Sequence, residues 1–207
     1  MARKEWKIVI GINLLIILLA LSPFLPGPSL LSKPTNIVFN LIQQGSILGL
    51  LLIPIGIFWT IKQAVKNIDK KALPILLWTV PTLAFILSIW YSEPARNFSR
   101  TFAINNAGKL IEAIEKYKSL NKEYPKDITA LTPTYLKSIP EPWVMGISGY
   151  DYKQKNDSYN LIFAQNVFMS FNFEVVIYNP TGEHEAEGES KTLYDAGRNN
   201  WKYYIYD

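Results

Sequence analysis

Three long apolar stretches occupy most of the first 92 positions of the chain. None of them contains Lys, Arg, Asp, Glu or His, and they comprise residues 8–32, 34–61 and 72–92. A helix needs about 20 consecutive apolar residues to cross the hydrocarbon core of a bilayer. The pattern therefore predicts a membrane protein with three transmembrane α-helices in residues 1–92, at about residues 8–25, 37–61 and 73–91.

An amphipathic pattern begins where the third apolar stretch ends. Apolar residues recur at steps of three and four, namely Ala103, Ala107, Leu110, Ile114 and Tyr117. This period predicts one long helix over residues 94–120. Pro125 prevents the helix from continuing, because proline has no amide hydrogen to donate. A short helical segment is predicted over residues 127–136.

The period changes to two after residue 149, which is typical of strands. Tyr150 and Tyr152 alternate with polar residues, and a second alternating run follows from Tyr159 to Phe163. The turn-forming residues 155–158 lie between them, so the pattern predicts a β-hairpin. Two more strands are predicted, a third over residues 171–178 and a last, half-buried edge strand over residues 201–206. Residues 93–207 are thus predicted to form an α+β domain, a long N-terminal helix packed on an antiparallel β-meander.

The charges of this 207-residue chain predict its orientation, although the net charge is only +4. Basic residues precede the first span and separate the second from the third, namely Arg3, Lys4, Lys7, Lys62, Lys66, Lys70 and Lys71. The loop between the first two spans has only Lys33. The positive-inside rule then predicts a cytoplasmic N-terminus and a C-terminal domain outside the cytoplasm.

The first span has an alternative interpretation as a cleaved signal peptide. It combines a basic start with an apolar core, and Ala20-Leu21-Ser22 offers small residues at the spacing of a cleavage site. Pro23 follows directly and fits cleavage poorly, so we favour an uncleaved anchor.

The composition argues against several kinds of chemistry. The chain has no cysteine and one histidine, His184, which removes disulfides, thiol nucleophiles and most Ser-His catalytic pairs. Paired carboxylates such as Glu112 and Glu115 leave open a glycan hydrolase, but a solvated helix face explains them better. Basic residues form no continuous stripe, so we expect no nucleic-acid binding. We therefore expect a protein that is not an enzyme.

Several short motifs in the second half have a familiar order. They are the helix segment 107–117, the Tyr-Pro turn within 121–125, Pro140-Glu141-Pro142-Trp143, and the tyrosine-rich segments 149–152 and 159–161. In this order they resemble the head domain of type IV pilins and of type II secretion pseudopilins, the major pseudopilin above all. The resemblance covers residues 101–164 and implies a bacterial envelope protein.

Two departures from that family change what the resemblance implies. No prepilin cleavage motif precedes the first span or residue 73, and two additional spans precede the pilin-like part. A subunit without a freed N-terminus is not readily extracted into a fibre. The resemblance then implies a pilin-like head that stays anchored in the inner membrane.

A calcium site is a further hypothesis for the late acidic loop. Acidic residues alternate around His184, and hard carboxylate oxygens are the ligands that calcium prefers. Pseudopilins of the major type have a calcium site in their late loop, and the resemblance places Asp195 in the corresponding region. The candidate metal ligands are therefore Glu183, Glu185 and Asp195, although the composition of this segment fits a solvated loop with no cofactor better.

Together these patterns predict a non-enzymatic, multi-pass protein of the bacterial plasma membrane. Its domain outside the cytoplasm would bind a protein partner or the envelope. One alternative is an accessory subunit of a type II secretion or type IV pilus machine. Another is an extracytoplasmic sensor or ligand-binding module, although the predicted inner loop of residues 62–71 is short for a signalling output.

Overall fold

The computed structural model describes residues 2–66, 69, 71–155 and 157–207. The chain forms two compact units. The first unit comprises Met1–Ser22 and Pro34–Ala95, and the second comprises Pro23–Lys33 and Arg96–Asp207. The sequence placed the boundary near residue 93, but it did not anticipate that the segment 23–33 belongs to the second unit.

The apolar stretches of the first unit are helical. The helices are α1 (Arg3–Leu21), α2 (Ser32–Gly49), α3 (Ile53–Val65) and α4 (Ala72–Ile89). Short 3₁₀ turns extend α1 and α2 and join α2 to α3, which gives three helical stretches long and apolar enough to cross a membrane, Arg3–Phe24, Ser29–Val65 and Ala72–Ile89. The prediction of three helices with the length and apolar character of membrane spans is confirmed. Lys70, one of the basic residues used to predict orientation, lies outside the described residues.

Polar contacts and glycines hold α4 against the other helices of this unit. Asn13 Nδ2 donates to Thr79 Oγ1 at 3.2 Å, and the backbone nitrogen of Ala72 donates to Glu5 Oε2 at 2.6 Å. A Cβ at Gly49 would come within 2.7 Å of Pro81. Gly49 therefore allows its helix to approach α4 closely, which is the role that small residues commonly have between membrane helices.

The second unit has a helix and a sheet. Helix α5 spans Ser92–Asn121, its first four residues lying in the first unit, and a 3₁₀ turn follows at Ile128–Leu131. The strands are β1 (Asp151–Lys155), β2 (Ser158–Phe168), β3 (Asn172–Tyr178), β4 (Tyr194–Asp195) and β5 (Trp201–Tyr206). The sheet order is β1-β2-β3-β5-β4 and all pairs are antiparallel. The predicted long helix, hairpin and third strand are confirmed, while Asn156 in the predicted hairpin turn lies outside the described residues.

The last strand differs from its prediction in one respect. Its bounds, Trp201–Tyr206, agree with the sequence pattern, but it is not a simple edge strand. Two-residue β4 pairs with it, placing Tyr194 opposite Tyr203 and Asp195 opposite Lys202. A two-residue strand leaves no detectable alternation in the sequence, so the pattern did not reveal it.

The apolar stripe of α5 forms the core of this unit. Ala103, Ala107, Leu110 and Ile114 are buried and pack in one cluster with residues of the sheet and of the loops before it. The cluster also includes Leu131, Val144, Ile147, Tyr150, Tyr159, Leu161, Phe163, Val176 and Trp201. The helix thus covers the apolar face of the sheet, as a layered α+β domain requires.

The segment Pro23–Lys33 pairs with the loop that leads into the sheet. The backbone nitrogen of Gly27 donates to Trp143 O at 3.0 Å, and that of Met145 donates to Leu25 O at 3.0 Å. Pro26 forms an isolated antiparallel bridge with Val144. The second unit is therefore built from one segment between the first two apolar helices and from the C-terminal half of the chain.

Alkaline pH is expected to destabilise this unit through its buried tyrosines. Burial raises the pKa of Tyr150, Tyr152 and Tyr159 above the ordinary value. The unfolded chain loses these protons near pH 10, while the folded chain retains them. The free energy of unfolding therefore has its full value below about pH 10 and decreases above it. Chemical unfolding in detergent, followed at pH 8 and at higher pH, measures this loss. Tyr150→Phe should reduce it, whereas a matched Tyr194→Phe should not; equal effects would contradict the account.

Candidate binding surface

An exposed tryptophan in the loop before the sheet has a strained backbone conformation. The side chain of Trp143 is 50% exposed and its φ is +55°. A bulky residue rarely adopts a positive φ, and such strain costs on the order of 1–3 kcal/mol. The hydrogen bond from Gly27 to the Trp143 carbonyl fixes this backbone. The fold thus maintains a large aromatic surface in solvent at a free-energy cost.

Trp143 borders a cleft of about 270 Å³ on the flank of α5. Asn105, Asn106 and Lys109 line its helical side, and Pro140 and Glu141 line the other. Asn106 is oriented by donating through Nδ2 to Pro142 O at 2.7 Å. We call the surface formed by Asn105, Asn106, Lys109 and Trp143 the tryptophan cleft.

A second depression adjoins the tryptophan cleft, because Asn105 lines both. It has a volume of about 510 Å³ and is bordered by Gly197, Arg198 and Asn199 of the β4–β5 loop. Arg198 Nη2 lies 3.5 Å from Asn105 Oδ1. The two depressions therefore lie side by side on α5 and share Asn105.

The charge of this surface is mainly positive. Among the described residues, neither Lys109 nor Arg198 has an acidic partner within ion-pair distance. Glu141, the acidic residue of the tryptophan cleft, accepts a hydrogen bond from the backbone nitrogen of Ser29 at 3.1 Å. An aromatic face, amides that both donate and accept, and two cations suit a partner that presents carboxylates or hydroxyl groups.

The predicted metal ligands line two different depressions of the surface. Glu183 and Glu185 line one open depression, and Glu185 pairs with Lys155 at 3.3 Å. Asp195 lines another depression, where Gly197 N donates to it at 2.7 Å and Lys202 lies 3.2 Å away. The hydrogen bond from Gly197 and then the Lys202 ammonium lower the pKa of Asp195. No group of three metal-binding side chains occurs among the described residues, and calcium binding stays a hypothesis.

The aromatic C-terminal strand, His184 and Glu115 contact other parts of the protein. Trp201 and Tyr204 of the aromatic C-terminal strand are buried, and the Tyr203 ring lies 3.8 Å beneath the Arg100 guanidinium. Both ring nitrogens of His184 lie 2.9 Å from backbone carbonyl oxygens. Tyr124 donates its hydroxyl to Glu115 at 3.4 Å. Each of these side chains thus has a contact within the protein that accounts for its position.

A buried ion cluster was missed by the sequence analysis. Glu174 is 2% exposed, and its carboxylate lies 2.7 Å from Arg100 and 3.4 Å from Arg96. Gln165 donates to Glu174 at 2.8 Å and accepts a hydrogen bond from Ser99. The alternation of residues in β3 could have indicated the burial of Glu174, because Glu174 and Val176 lie on the same covered face of the strand. The cluster joins the start of α5 to the centre of the sheet.

Comparison with protein-family models, with curated proteins and with solved structures found no match for this chain. The pilin-like character inferred from short motifs is therefore a hypothesis that depends on this chain's own residues.

Proposed function

We propose that the protein is a membrane-anchored binding protein, not an enzyme, that presents a pilin-like α+β domain outside the cytoplasm. Its partner is a protein or polymer of the bacterial envelope, bound through the tryptophan cleft. The single observation that carries this proposal is Trp143, exposed at a positive φ and fixed by the segment 23–33. Tryptophan and arginine are enriched among the residues that contribute most to binding at protein interfaces.

The order of elements supports a pilin-like head. A single long helix, α5, precedes an antiparallel meander of β1, β2 and β3, and the helix stripe covers the sheet. The motifs Tyr124-Pro125 and Pro140 to Trp143 lie in the loops between the helix and the sheet.

The chain segments that form the second unit support the proposed orientation. The segment 23–33 contains the connection between the first and second apolar helical stretches, and Arg96 follows the third stretch. Because both belong to one folded unit, they must lie on the same side of any membrane that the helices cross. Two intervening spans, an even number, satisfy this requirement together with the positive-inside distribution of charge.

The attachment of the domain supports a stationary role over that of a fibre subunit. The chain passes between the two units at residues 22–23, 33–34 and 95–96. A subunit that leaves the membrane for a fibre would have to withdraw every apolar helix connected to its head. We therefore favour a fixed anchor or docking platform over a fibre-forming accessory subunit.

Removing the Trp143 side chain should weaken partner binding at least tenfold. The variant Trp143→Gly deletes the ring and relieves the positive-φ strain, so the fold should persist. A photo-crosslinking amino acid in place of Lys109, in intact cells, should form an adduct that Trp143→Gly greatly reduces. A tenfold loss corresponds to about 1.4 kcal/mol, and the residues that contribute most to an interface cost about 2 kcal/mol or more when truncated.

A matched control uses Leu120, which is 65% exposed at the other end of α5. Leu120→Ala should leave the adduct at position 109 unchanged, and a crosslinker at position 120 should not form it. Absence of an adduct at position 109, or an adduct that persists in Trp143→Gly, would contradict binding at the tryptophan cleft.

A further inference from the structure

The turn between β2 and β3 is unusually apolar. Phe171 N donates to Phe168 O at 2.8 Å, closing a two-residue turn in which Met169 has φ +47° and Ser170 has φ +61°. Two consecutive positive φ values are typical of a type I′ hairpin turn, for which Asn-Gly is the favoured pair. Methionine at the first of these positions is strained, so turn geometry alone does not explain it. We call residues 168–171 the hairpin tip.

The hairpin tip exposes large aromatic side chains within an uncharged run of the sequence. Phe168 is 36% exposed and Phe171 is 70% exposed. The run from Asn166 to Phe173 contains no charged residue. Soluble proteins usually place polar residues at such a turn, and an exposed apolar patch commonly marks an interaction surface.

Contacts within the second unit define where the hairpin tip lies. One end of β2 packs near the C-terminus of α5, where the rings of Tyr159 and Tyr124 are 4.9 Å apart. Further along β2, Gln165 donates to Arg96 O at 3.2 Å. The strand therefore runs antiparallel to α5, and the tip extends about 13 Å beyond Gln165, at about 3.3 Å per residue.

This end of the domain is where the chain arrives from the third apolar helix, since Arg96 is the first residue of the second unit's main segment. Two further exposed aromatic residues lie at the same end. Phe98, in the early turns of α5, is 53% exposed, and Tyr206, opposite Phe173 in the sheet, is 44% exposed. Aromatic residues are enriched at the boundary between a bilayer and water.

We propose that the hairpin tip inserts into the outer face of the bilayer, so that the sheet contacts lipid. The proposal requires that the three apolar helical stretches cross the membrane. The absence of charge between Asn166 and Phe173 makes the contact one with the apolar and interfacial layers of lipid, independent of anionic headgroups.

A single spin label tests this proposal, because the chain has no native cysteine. Ser170→Cys places the label at the turn while retaining Phe168 and Phe171. The full chain is reconstituted into phosphatidylcholine vesicles, and collision rates with oxygen and with a water-soluble nickel complex are measured by electron paramagnetic resonance. We expect an oxygen-to-nickel ratio several-fold higher than at Asp157→Cys, an exposed position in the β1–β2 turn.

The remaining outcomes separate lipid from other surroundings. Adding phosphatidylglycerol should leave the ratio unchanged, and Phe171→Asp introduced beside Ser170→Cys should lower it to the value at position 157. Equal ratios at positions 170 and 157 would overturn the proposal. Low collision rates with both reagents would also overturn it, because they would show that protein and not lipid covers the tip.

Discussion

Glu174→Ala should destabilise the second unit by about 3–5 kcal/mol, because it removes the buried carboxylate that Arg96 and Arg100 share. Glu174 is 2% exposed and lies between Arg96 and Arg100, whose side chains are 12% and 8% exposed. The substitution leaves two guanidinium groups without their carboxylate. The midpoint of chemical unfolding of the full chain in detergent measures this effect.

Two comparisons make that result specific. Glu185→Ala breaks a pair whose side chains are 46% and 83% exposed, and the expected loss is below about 1 kcal/mol. Glu174→Leu combined with Arg100→Met should recover part of the stability lost in Glu174→Ala, since a buried ion pair is often replaceable by apolar side chains. A loss in Glu174→Ala no larger than in Glu185→Ala would contradict the role of the cluster.

Gly146→Ala should release the segment Pro23–Lys33 and cost about 1–3 kcal/mol, the range for an overpacked site. Gly146 N donates to Pro23 O at 2.7 Å, and an added Cβ would meet the Pro23 ring at 2.7 Å and its carbonyl carbon at 3.0 Å. Backbone atoms cannot rotate away as a flexible side chain can. We expect faster proteolysis within residues 23–33 and a lower unfolding midpoint.

Gly149 provides the matched control for this prediction. A Cβ at Gly149 meets nothing within 4 Å, so Gly149→Ala should leave both proteolysis of the segment and the unfolding midpoint nearly unchanged. Identical behaviour of the two variants would contradict the close packing of Pro23 on Gly146.

The elements with a long, regular period were predictable from sequence. Charge-free stretches gave the apolar helices, and the stripe from Ala103 to Ile114 gave α5, because each signal repeats over many residues. The strands were predictable where tyrosine and phenylalanine alternate, although β2 continues past the alternating run to Phe168. The two residues of β4 and the 3₁₀ turn between α2 and α3 carry no such repetition.

Long-range contacts were not predictable in this way. The pairing of Pro26 with Val144 joins residues far apart in the chain, and the segment 23–33 is short and rich in proline, so it offers no period. The sequence identifies Trp143 as part of a motif, but its exposure and its positive φ depend on that pairing. The partners of Glu174 likewise come from a different element, α5.

The central claim is that residues 23–33 and 96–207 form one domain on the outer face of a membrane crossed by the apolar helices. Single cysteines at Leu30, Asp69 and Asp157 in the otherwise cysteine-free chain test it directly, by labelling intact cells with a membrane-impermeant maleimide. The account predicts labelling at positions 30 and 157 in intact cells, and at position 69 only after permeabilisation. Labelling of positions 30 and 157 from opposite sides, or of position 69 together with position 157, would contradict it.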